Sequence, residues 1–260
     1  MIEYSFSINE LQYFLLVFAR VSCFVFIAPF FSMTNTPARV RAGLSIFVSY
    51  LIYQVLAPHE PIAYDTLLEY AGIVIKEGLT GLLVGYGANI CNTIIVFAGR
   101  VIDMDIGLAM ANQLDPTTRE NASISGVFYQ YVVMLMLLVS GMHRYILQAL
   151  AETYTLIPIN GAVFDGDRLL GPMLAFLTDY LSIGFRICLP IFCVILILNV
   201  VLGILAKVSP QMNMFAVGIQ IKLLVGLGVM FLTVGMLPYV SDFIFTEMKT
   251  MMVAFVEAMM

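Results

Sequence analysis

The chain has 260 residues, of which 61% are hydrophobic and only 11% are charged, whereas soluble domains carry about 25% charged residues. Its formal net charge of -5 and its lack of any Lys or Arg cluster exclude a nucleic-acid-binding surface, which needs clustered cations to neutralise phosphates. We therefore expect one integral membrane unit, residues 1–260, with no nucleic acid partner and no separate soluble domain.

Apolar runs of the length needed to cross a bilayer, about 20 residues in a helix, recur along the whole chain. They cover residues 11–31, 42–56, 70–98, 127–150, 169–206 and 212–239. The second run is short, and the long fifth run could alternatively fold back at Pro190. This pattern predicts an all-α polytopic membrane protein of about six long apolar helices.

The connections between these runs differ in charge. Basic residues follow the first, third and fifth runs at Arg39, Arg41, Arg100, Arg119 and Lys207, whereas Glu60, Asp65 and Glu69 follow the second. Basic connections favour the cytoplasmic side of a membrane. We therefore expect both termini to lie outside the cytoplasm.

The third and fifth apolar runs each contain an acidic and a basic residue, and charged groups cost several kcal/mol at membrane depth unless they are paired or covered. They are Lys76 and Glu77 in the third run and Asp179 and Arg186 in the fifth. Each carboxylate has a basic neighbour, so buried pairing inside a multi-subunit bundle is our preferred interpretation. The alternative is a proton relay through Glu77, Asp103, Asp105 and Asp179 in a transporter.

The third run also contains the GxxxG spacing Gly81 and Gly85. Small residues on one helix face allow a second helix to approach closely. The spacing is compatible with packing inside this chain and with a contact to another subunit.

The connection from Arg100 to Ser125 is long and mixes charged, polar and apolar residues. Long connections without their own periodicity are often functional. One interpretation is a solvated cytoplasmic loop. The other is a segment that closes a pore, in which Met110 and the apolar Ile106, Leu108 and Ala109 fill the gap, because Met adapts to irregular shapes.

The last two apolar stretches are separated by a short polar interruption from Lys207 to Phe215. A helix break at Ser209-Pro210 leaves unpaired backbone groups, so it must lie at the membrane surface or be covered by protein. This predicts a tight hairpin or a packed contact.

Beyond Pro238, apolar residues at spacings of three and four predict an amphipathic helix over 240–260, lying along the membrane interface or against a partner.

Residue patterns typical of catalysis are missing from the sequence. The two histidines, His59 and His143, match neither a zinc motif nor a triad, and the four cysteines have no zinc-ligand spacing. The glycines are not followed by the Lys-Ser or Lys-Thr of a phosphate-binding loop. We expect no enzyme, no cofactor and no metal site.

With these features in view, the chain resembles the FliR family of bacterial flagellar export-gate proteins, which is related to the T component of injectisome type III secretion. The resemblance lies in Arg39-Val40-Arg41, in Gly107 through Asp115-Pro116, in Gly141 with His143, and in Ser209-Pro210-Gln211-Met212-Asn213-Met214-Phe215 with Gly218. The Ser-Pro-Gln opening looks flagellar rather than injectisome-like. Met142 departs from the family, which commonly has Gly directly before the His.

The resemblance implies a non-enzymatic gate subunit in the cytoplasmic membrane of the flagellar basal body. It would assemble with FliP and FliQ, contact FlhB and FlhA, and form a conduit for unfolded flagellar proteins. Residues 1–168 would be a FliP-like part with a plug loop at about 100–126, residues 169–239 a FliQ-like helical hairpin, and residues 240–260 the C-terminal helix.

Individual residues receive roles from the same resemblance. The implied plug residues are Ile106, Gly107, Leu108, Met110, Asn112, Gln113, Asp115 and Pro116. The implied assembly or gating turn, at the cytoplasmic tip of the hairpin beside the FlhB contact, comprises Lys207, Ser209, Pro210, Gln211, Asn213 and Phe215. The alternatives that remain are a stand-alone proton-coupled multi-pass transporter and a passive membrane scaffold.

Overall fold

The computed structural model describes residues 8–32, 36–58, 64–109, 123–209, 211 and 213–260. Every regular element in these residues is helical. In chain order the helices are α1 (Ile8–Ile27), α2 (Ala38–Val55), α3 (Leu67–Ala88), α4 (Ile90–Ile106), α5 (Ile124–Val139), α6 (Met142–Leu156), α7 (Gly166–Val208), α8 (Met214–Thr233) and α9 (Leu237–Met259). A short 3-10 helix, Val234–Met236, separates α8 from α9.

Three helical stretches are long and apolar enough to cross a membrane by themselves: Ile8–Ile27, Gly166–Val208 and Ala216–Met259. The pairs α3 with α4 and α5 with α6 qualify when each pair is taken as one span, which gives up to 5 spans in the described residues. The prediction of an all-α polytopic membrane protein is therefore confirmed. Helix α2, which carries Arg39 and Arg41 in its first turn, does not qualify by itself.

Two of the predicted apolar runs, the third and the fourth, are interrupted in the structure. The fifth run, for which a fold-back was the alternative, is continuous. The third run breaks at Asn89 and the fourth at Ser140 and Gly141. Gly141 has φ +74°, a left-handed conformation that glycine adopts without a steric penalty. Helix α7 continues through Pro190, so the alternative of a fold-back there is wrong. A proline removes only one helical hydrogen bond, and an apolar environment favours keeping all the others.

The chain folds as two compact units. Unit 1 comprises Met1–Ile90, Gly141–Phe176 and Thr246–Met260, and unit 2 comprises Cys91–Ser140 and Leu177–Phe245. Helix α7 therefore contributes residues to both units. The domain boundary predicted after residue 168 is based on the family resemblance and not on compact packing, and it stays a prediction.

The core of unit 1 is built around α1, which packs on α2 and α3. A Cβ atom added at Gly81 would collide with the Arg20 carbonyl, and one at Gly85 would lie 3.1 Å from the Phe24 carbonyl oxygen. The GxxxG pair thus lets α3 approach the backbone of α1. Of the two roles considered for it, the structure shows the packing inside this chain.

The end of α9 also belongs to the core of unit 1. Met248, Met252, Phe255 and Met259 are all buried, and the Phe255 ring lies against Gly87 of α3. This corrects the prediction that the apolar face of the C-terminal segment meets the membrane interface or a partner. Spacings of three and four place these residues on one helix face, but they do not distinguish an outer partner from the chain's own helices.

Unit 2 contains α4, α5, α8 and the greater part of α7. The Phe97 ring of α4 lies against Gly184 of α7 and contacts the rings of Tyr180 and Phe185, with centroid separations of 4.9 Å and 5.4 Å. The Leu202 side chain of α7 lies against Gly218 of α8. Helices α7 and α8, which precede and follow the polar interruption in the sequence, are therefore neighbours in space. We refer to residues 177–233 as the α7–α8 hairpin.

Candidate functional site

The residues predicted to form the plug lie only partly within the described chain. Ile106, Gly107 and Leu108 are described, whereas Met110, Asn112, Gln113, Asp115 and Pro116 lie outside the described residues. The described chain includes the two ends of this connection. Both ends lie in unit 2, and we call the residues that hold them, Asp103, Ser123 and Ser125, the connection base.

Gly107 marks the end of α4 and the first end of the connection. Its φ of +94° is a left-handed conformation that favours glycine, and its N–H still donates to the Asp103 carbonyl oxygen at 3.1 Å. Ile106, just before it, is fully buried against Gly226 of α8, where a Cβ atom would lie within 2.5 Å of the Ile106 side chain. The point at which the chain leaves α4 is therefore fixed on the α7–α8 hairpin.

The second end of the connection is held by the first turn of α5. The Ser123 hydroxyl oxygen accepts a hydrogen bond from the Gly126 N–H at 2.8 Å, which makes Ser123 the N-cap. The Ser125 N–H donates to both carboxylate oxygens of Asp103, at 3.2 Å and 3.3 Å. Unpaired N–H groups give a helix N-terminus a partial positive charge, so a carboxylate is stabilised there.

The backbones of α4 and α5 touch next to the connection base. A Cβ atom at Gly99 would collide with Cα and N of Gly126, so only two glycines allow this approach. Further along the same pair of helices, the Gln130 side-chain amide donates to the Asn92 side-chain oxygen at 2.7 Å. The two ends of the connection are thus joined by a buried ion–helix contact and by direct backbone packing.

The connection base can position a segment. It does not contain a nucleophile that is hydrogen-bonded to a base, with that base held in turn by a third group. Asp103 is 2% exposed, and its carboxylate serves the first turn of α5. Among the residues that the structure describes, no group of three or more His, Cys, Asp or Glu could hold a metal ion.

The predicted assembly turn separates α7, which ends at Val208, from α8, which begins at Met214. Asn213 is the N-cap of α8, because its side-chain oxygen accepts from the Ala216 N–H at 3.4 Å. Lys207, Gln211 and Asn213 are exposed, and the Ser209 N–H donates to the Leu205 carbonyl oxygen at 2.9 Å. Pro210 and the side chain of Phe215 lie outside the described residues. The Leu202 side chain of α7 lies against Gly218 of α8, as a hairpin requires, and a packed contact of the turn with another subunit stays a prediction.

Glu77 does not pair with Lys76, its neighbour in sequence, but with Arg20 of α1. The Arg20 Nε donates to Glu77 Oε2 at 2.7 Å, and both side chains are fully buried. Successive residues of a helix do not share a face, so Lys76 points elsewhere, with its Nζ 3.5 Å from Asn160 Oδ1. The expected local pairing is therefore corrected to an ion pair between α1 and α3.

This pair also organises the chain that follows α6. Arg20 Nη1 donates to the carbonyl oxygens of Thr153 and Ile157 at 3.2 Å and 3.0 Å, and its guanidinium lies 4.2 Å from the centre of the Tyr154 ring. Glu77 Oε1 accepts from the Asn160 N–H at 2.9 Å. The pair thus serves carbonyl groups at the end of α6 and an amide group of the following loop.

The other predicted pair, Asp179 and Arg186, is not formed within the chain. Both lie on α7, where Asp179 is partly exposed and Arg186 is exposed, and the structure records no ion pair between these two described residues. Residues seven positions apart are about 10.5 Å apart along a helix axis, too far for a direct contact between these side chains in their usual directions.

Two residues that matter for these sites, Arg20 and Ser125, were not predicted from the sequence. Arg20 lies inside an apolar run, so the cost of burying a charge, which singled out Glu77, applies to Arg20 as well. Ser125 had no such signal, because its backbone N–H rather than its side chain binds Asp103.

Comparison with known proteins places the chain in one group. The family described as Bacterial export proteins, family 1 matches residues 11–248. Flagellar biosynthetic protein FliR of Pectobacterium carotovorum subsp. carotovorum is 27% identical over 242 residues, covering 92% of this chain and 91% of the relative. The protein of the same name from Bacillus subtilis (strain 168) is 28% identical over 214 residues, covering 82% of each. That from Escherichia coli (strain K12) is 24% identical over 224 residues, covering 86% of this chain and 84% of the relative.

Proposed function

The chain belongs to the bacterial export proteins of family 1, the FliR family, and from this premise we propose that it is a conduit subunit of the flagellar protein export gate. It is an all-α membrane protein of the flagellar export apparatus. The proposed role is to form, with FliP and FliQ, the passage through which unfolded flagellar proteins cross the cytoplasmic membrane. FlhB and FlhA are its proposed contacts on the cytoplasmic side.

The single observation that carries this proposal is the connection base. Asp103 and Ser125 join the two ends of the central connection, and Gly99 and Gly126 hold the helices behind them in backbone contact. These contacts hold α4 and α5 together independently of the residues between them. This is the property required of a plug that closes a conduit and yields when a substrate arrives.

The surface of α7 supports a multi-subunit setting. Leu174, Leu181, Leu189 and Ile197 are exposed large apolar residues of this helix, and the exposed Arg186 lies among them. Contact with lipid would suit the apolar residues but would leave the guanidinium in hydrocarbon, which costs several kcal/mol. Cover by other subunits accommodates both the apolar residues and the guanidinium. The FliQ-like role proposed for this segment and for the Lys207–Phe215 turn requires such cover.

Glu77 argues against the transporter alternative. A relay carboxylate has to exchange protons with a pathway. Glu77 is fully buried, and its two oxygens are occupied by Arg20 and by the Asn160 N–H. We therefore assign Glu77 to the scaffold of unit 1 and the central connection to gating.

Deletion of Met110 to Leu114 tests the plug. We expect higher ion conductance through assembled gates in planar bilayers, with the amount of assembled gate unchanged, because the connection base keeps α4 and α5 together. Deletion of five residues from another connection, His59 to Ala63, is the matched control and should leave the conductance at the wild-type level. Equal conductance of the wild type and the Met110–Leu114 deletion would contradict a plug in this segment.

A further inference from the structure

The last turn of α4 has an unusual charge composition. It contains Asp103 and Asp105 and no basic residue. The C-terminal end of a helix carries a partial negative charge, so carboxylates there are unfavourable unless something compensates them. Asp103 is compensated by the first turn of α5. Asp105 Oδ2 is shielded from solvent and has no hydrogen-bond partner within the described chain. A shielded carboxylate oxygen without a partner requires a nearby positive charge or a bound water.

Asp105 faces an open cavity of about 390 Å³ in unit 2. The end of α4 forms one wall, and the α7–α8 hairpin forms the others. Its polar side chains are those of Asp105, Asn199 and Lys222, and three glycines, Gly107, Gly203 and Gly218, keep it open. The volume is sufficient for several waters, each of which can bridge polar groups that do not touch directly.

Lys222 is the cation of this cavity. Lys222 and Asp105 line the same cavity, although the two groups are not within the 4.0 Å of a direct ion pair. Lys222 lies in the last apolar run, where an uncompensated ammonium group is costly. Asp105 at the C-terminal end of α4 therefore supplies a negative charge for Lys222, and Lys222 in the apolar run of α8 supplies a positive charge for Asp105.

The spacing along α8 directs Lys222 toward α4. Ile219, three residues earlier, approaches Gly107, and Gly226, four residues later, receives the Ile106 side chain. Positions three and four apart lie on one face of a helix. Lys222 is thus between the two contacts that hold the end of α4 on the hairpin.

We propose that Asp105 and Lys222 form a water-bridged charge pair that positions the end of α4, and with it the start of the central connection, on the α7–α8 hairpin. Both are positioning residues, because they hold a helix end and touch no substrate. The inference deepens the proposed function, on which its export readout rests. It gives the hairpin an electrostatic link to the segment that is proposed to close the conduit.

Charge exchange provides the test. Asp105→Lys and Lys222→Asp each place two like charges around the cavity, and each should lower flagellar protein secretion by about tenfold, as expected when one member of a partly buried pair is reversed. The double variant Asp105→Lys/Lys222→Asp restores opposite charges and should secrete within about twofold of the wild type.

The matched control is Asp105→Lys/Lys249→Asp. It has the same composition and net charge as the exchange, but Lys249 lies in unit 1 over the Tyr145 ring. We expect this control to secrete no better than Asp105→Lys alone. Rescue by Lys249→Asp, or an exchange variant no better than the two single reversals, would overturn the proposed pair.

A second readout keeps the pair testable apart from the export role. The thermal midpoint of the purified full-length chain, in whatever complex it forms, should fall in both single reversals and recover in the exchange variant. If the wild type does not copurify with FliP and FliQ, the proposed function fails, and recovery or non-recovery of the midpoint still decides the charge pair. If the wild type copurifies and the midpoint does not recover, the pair alone is wrong.

Discussion

Replacing Glu77 with Gln should destabilise unit 1 by about 3–5 kcal/mol, because it leaves the buried Arg20 guanidinium without its counter-charge. Both side chains of the pair are fully buried, and the Nε to Oε2 distance of 2.7 Å is that of a direct, charge-assisted hydrogen bond. The loss should be seen as a lower free energy of unfolding in denaturant titrations of the detergent-solubilised gate.

Two further variants test whether the loss of stability comes from the unpaired guanidinium. Glu152→Gln removes an exposed carboxylate from α6 and should change stability by less than about 0.5 kcal/mol. The double variant Arg20→Met/Glu77→Leu removes both charges and should be more stable than Glu77→Gln, because no unpaired charge remains buried. A double variant less stable than Glu77→Gln would contradict the assignment of the loss to the unpaired guanidinium.

The second large effect is expected at the backbone contact between α4 and α5. Gly99→Ala places a methyl group where Cα and N of Gly126 lie, so the two helices must separate. Overpacking of this kind costs about 1–3 kcal/mol, and here separation would also lengthen the hydrogen bonds between Asp103 and the Ser125 N–H. We expect less assembled gate and, per assembled gate, a higher ion leak.

Gly228→Ala is the matched control for this change. Gly228 lies on α8 of the same unit, and a Cβ atom there meets nothing within 4 Å. Alanine in an open helical position stabilises a helix by about 0.5–1 kcal/mol relative to glycine. If Gly99→Ala behaved like Gly228→Ala in gate recovery and in leak, the close approach of α4 and α5 would be irrelevant to the gate.

The helices themselves could be predicted from the sequence, because a run of about 20 apolar residues in this composition has few other stable forms. Their breaks were harder to place. The interruptions at Asn89 and at Gly141 each take one or two residues inside an apolar stretch, and hydropathy averaged over a span does not detect them. Pro190 is compatible with a continuous helix and with a fold-back, so the sequence alone does not predict the continuity of α7.

The contacts between helices depended on information that the sequence alone did not supply. Arg20 and Glu77 are 57 positions apart, so proximity in sequence favoured Lys76 as the partner. Gly81 and Gly85 were recognised as a packing motif, but the spacing did not say that α1 was the partner. The chemical types at these sites were predictable from the cost of burying them, whereas their pairing required the fold.

The proposed function requires that this chain be one subunit of a gate assembled with FliP and FliQ. Native mass spectrometry of the tagged chain, coexpressed with the FliP and FliQ of its own genome and compared with expression alone, tests it most directly. We predict a discrete complex that contains this chain with several copies of FliP and FliQ. A stable monomer or homo-oligomer, unchanged by the presence of both partners, would contradict the claim.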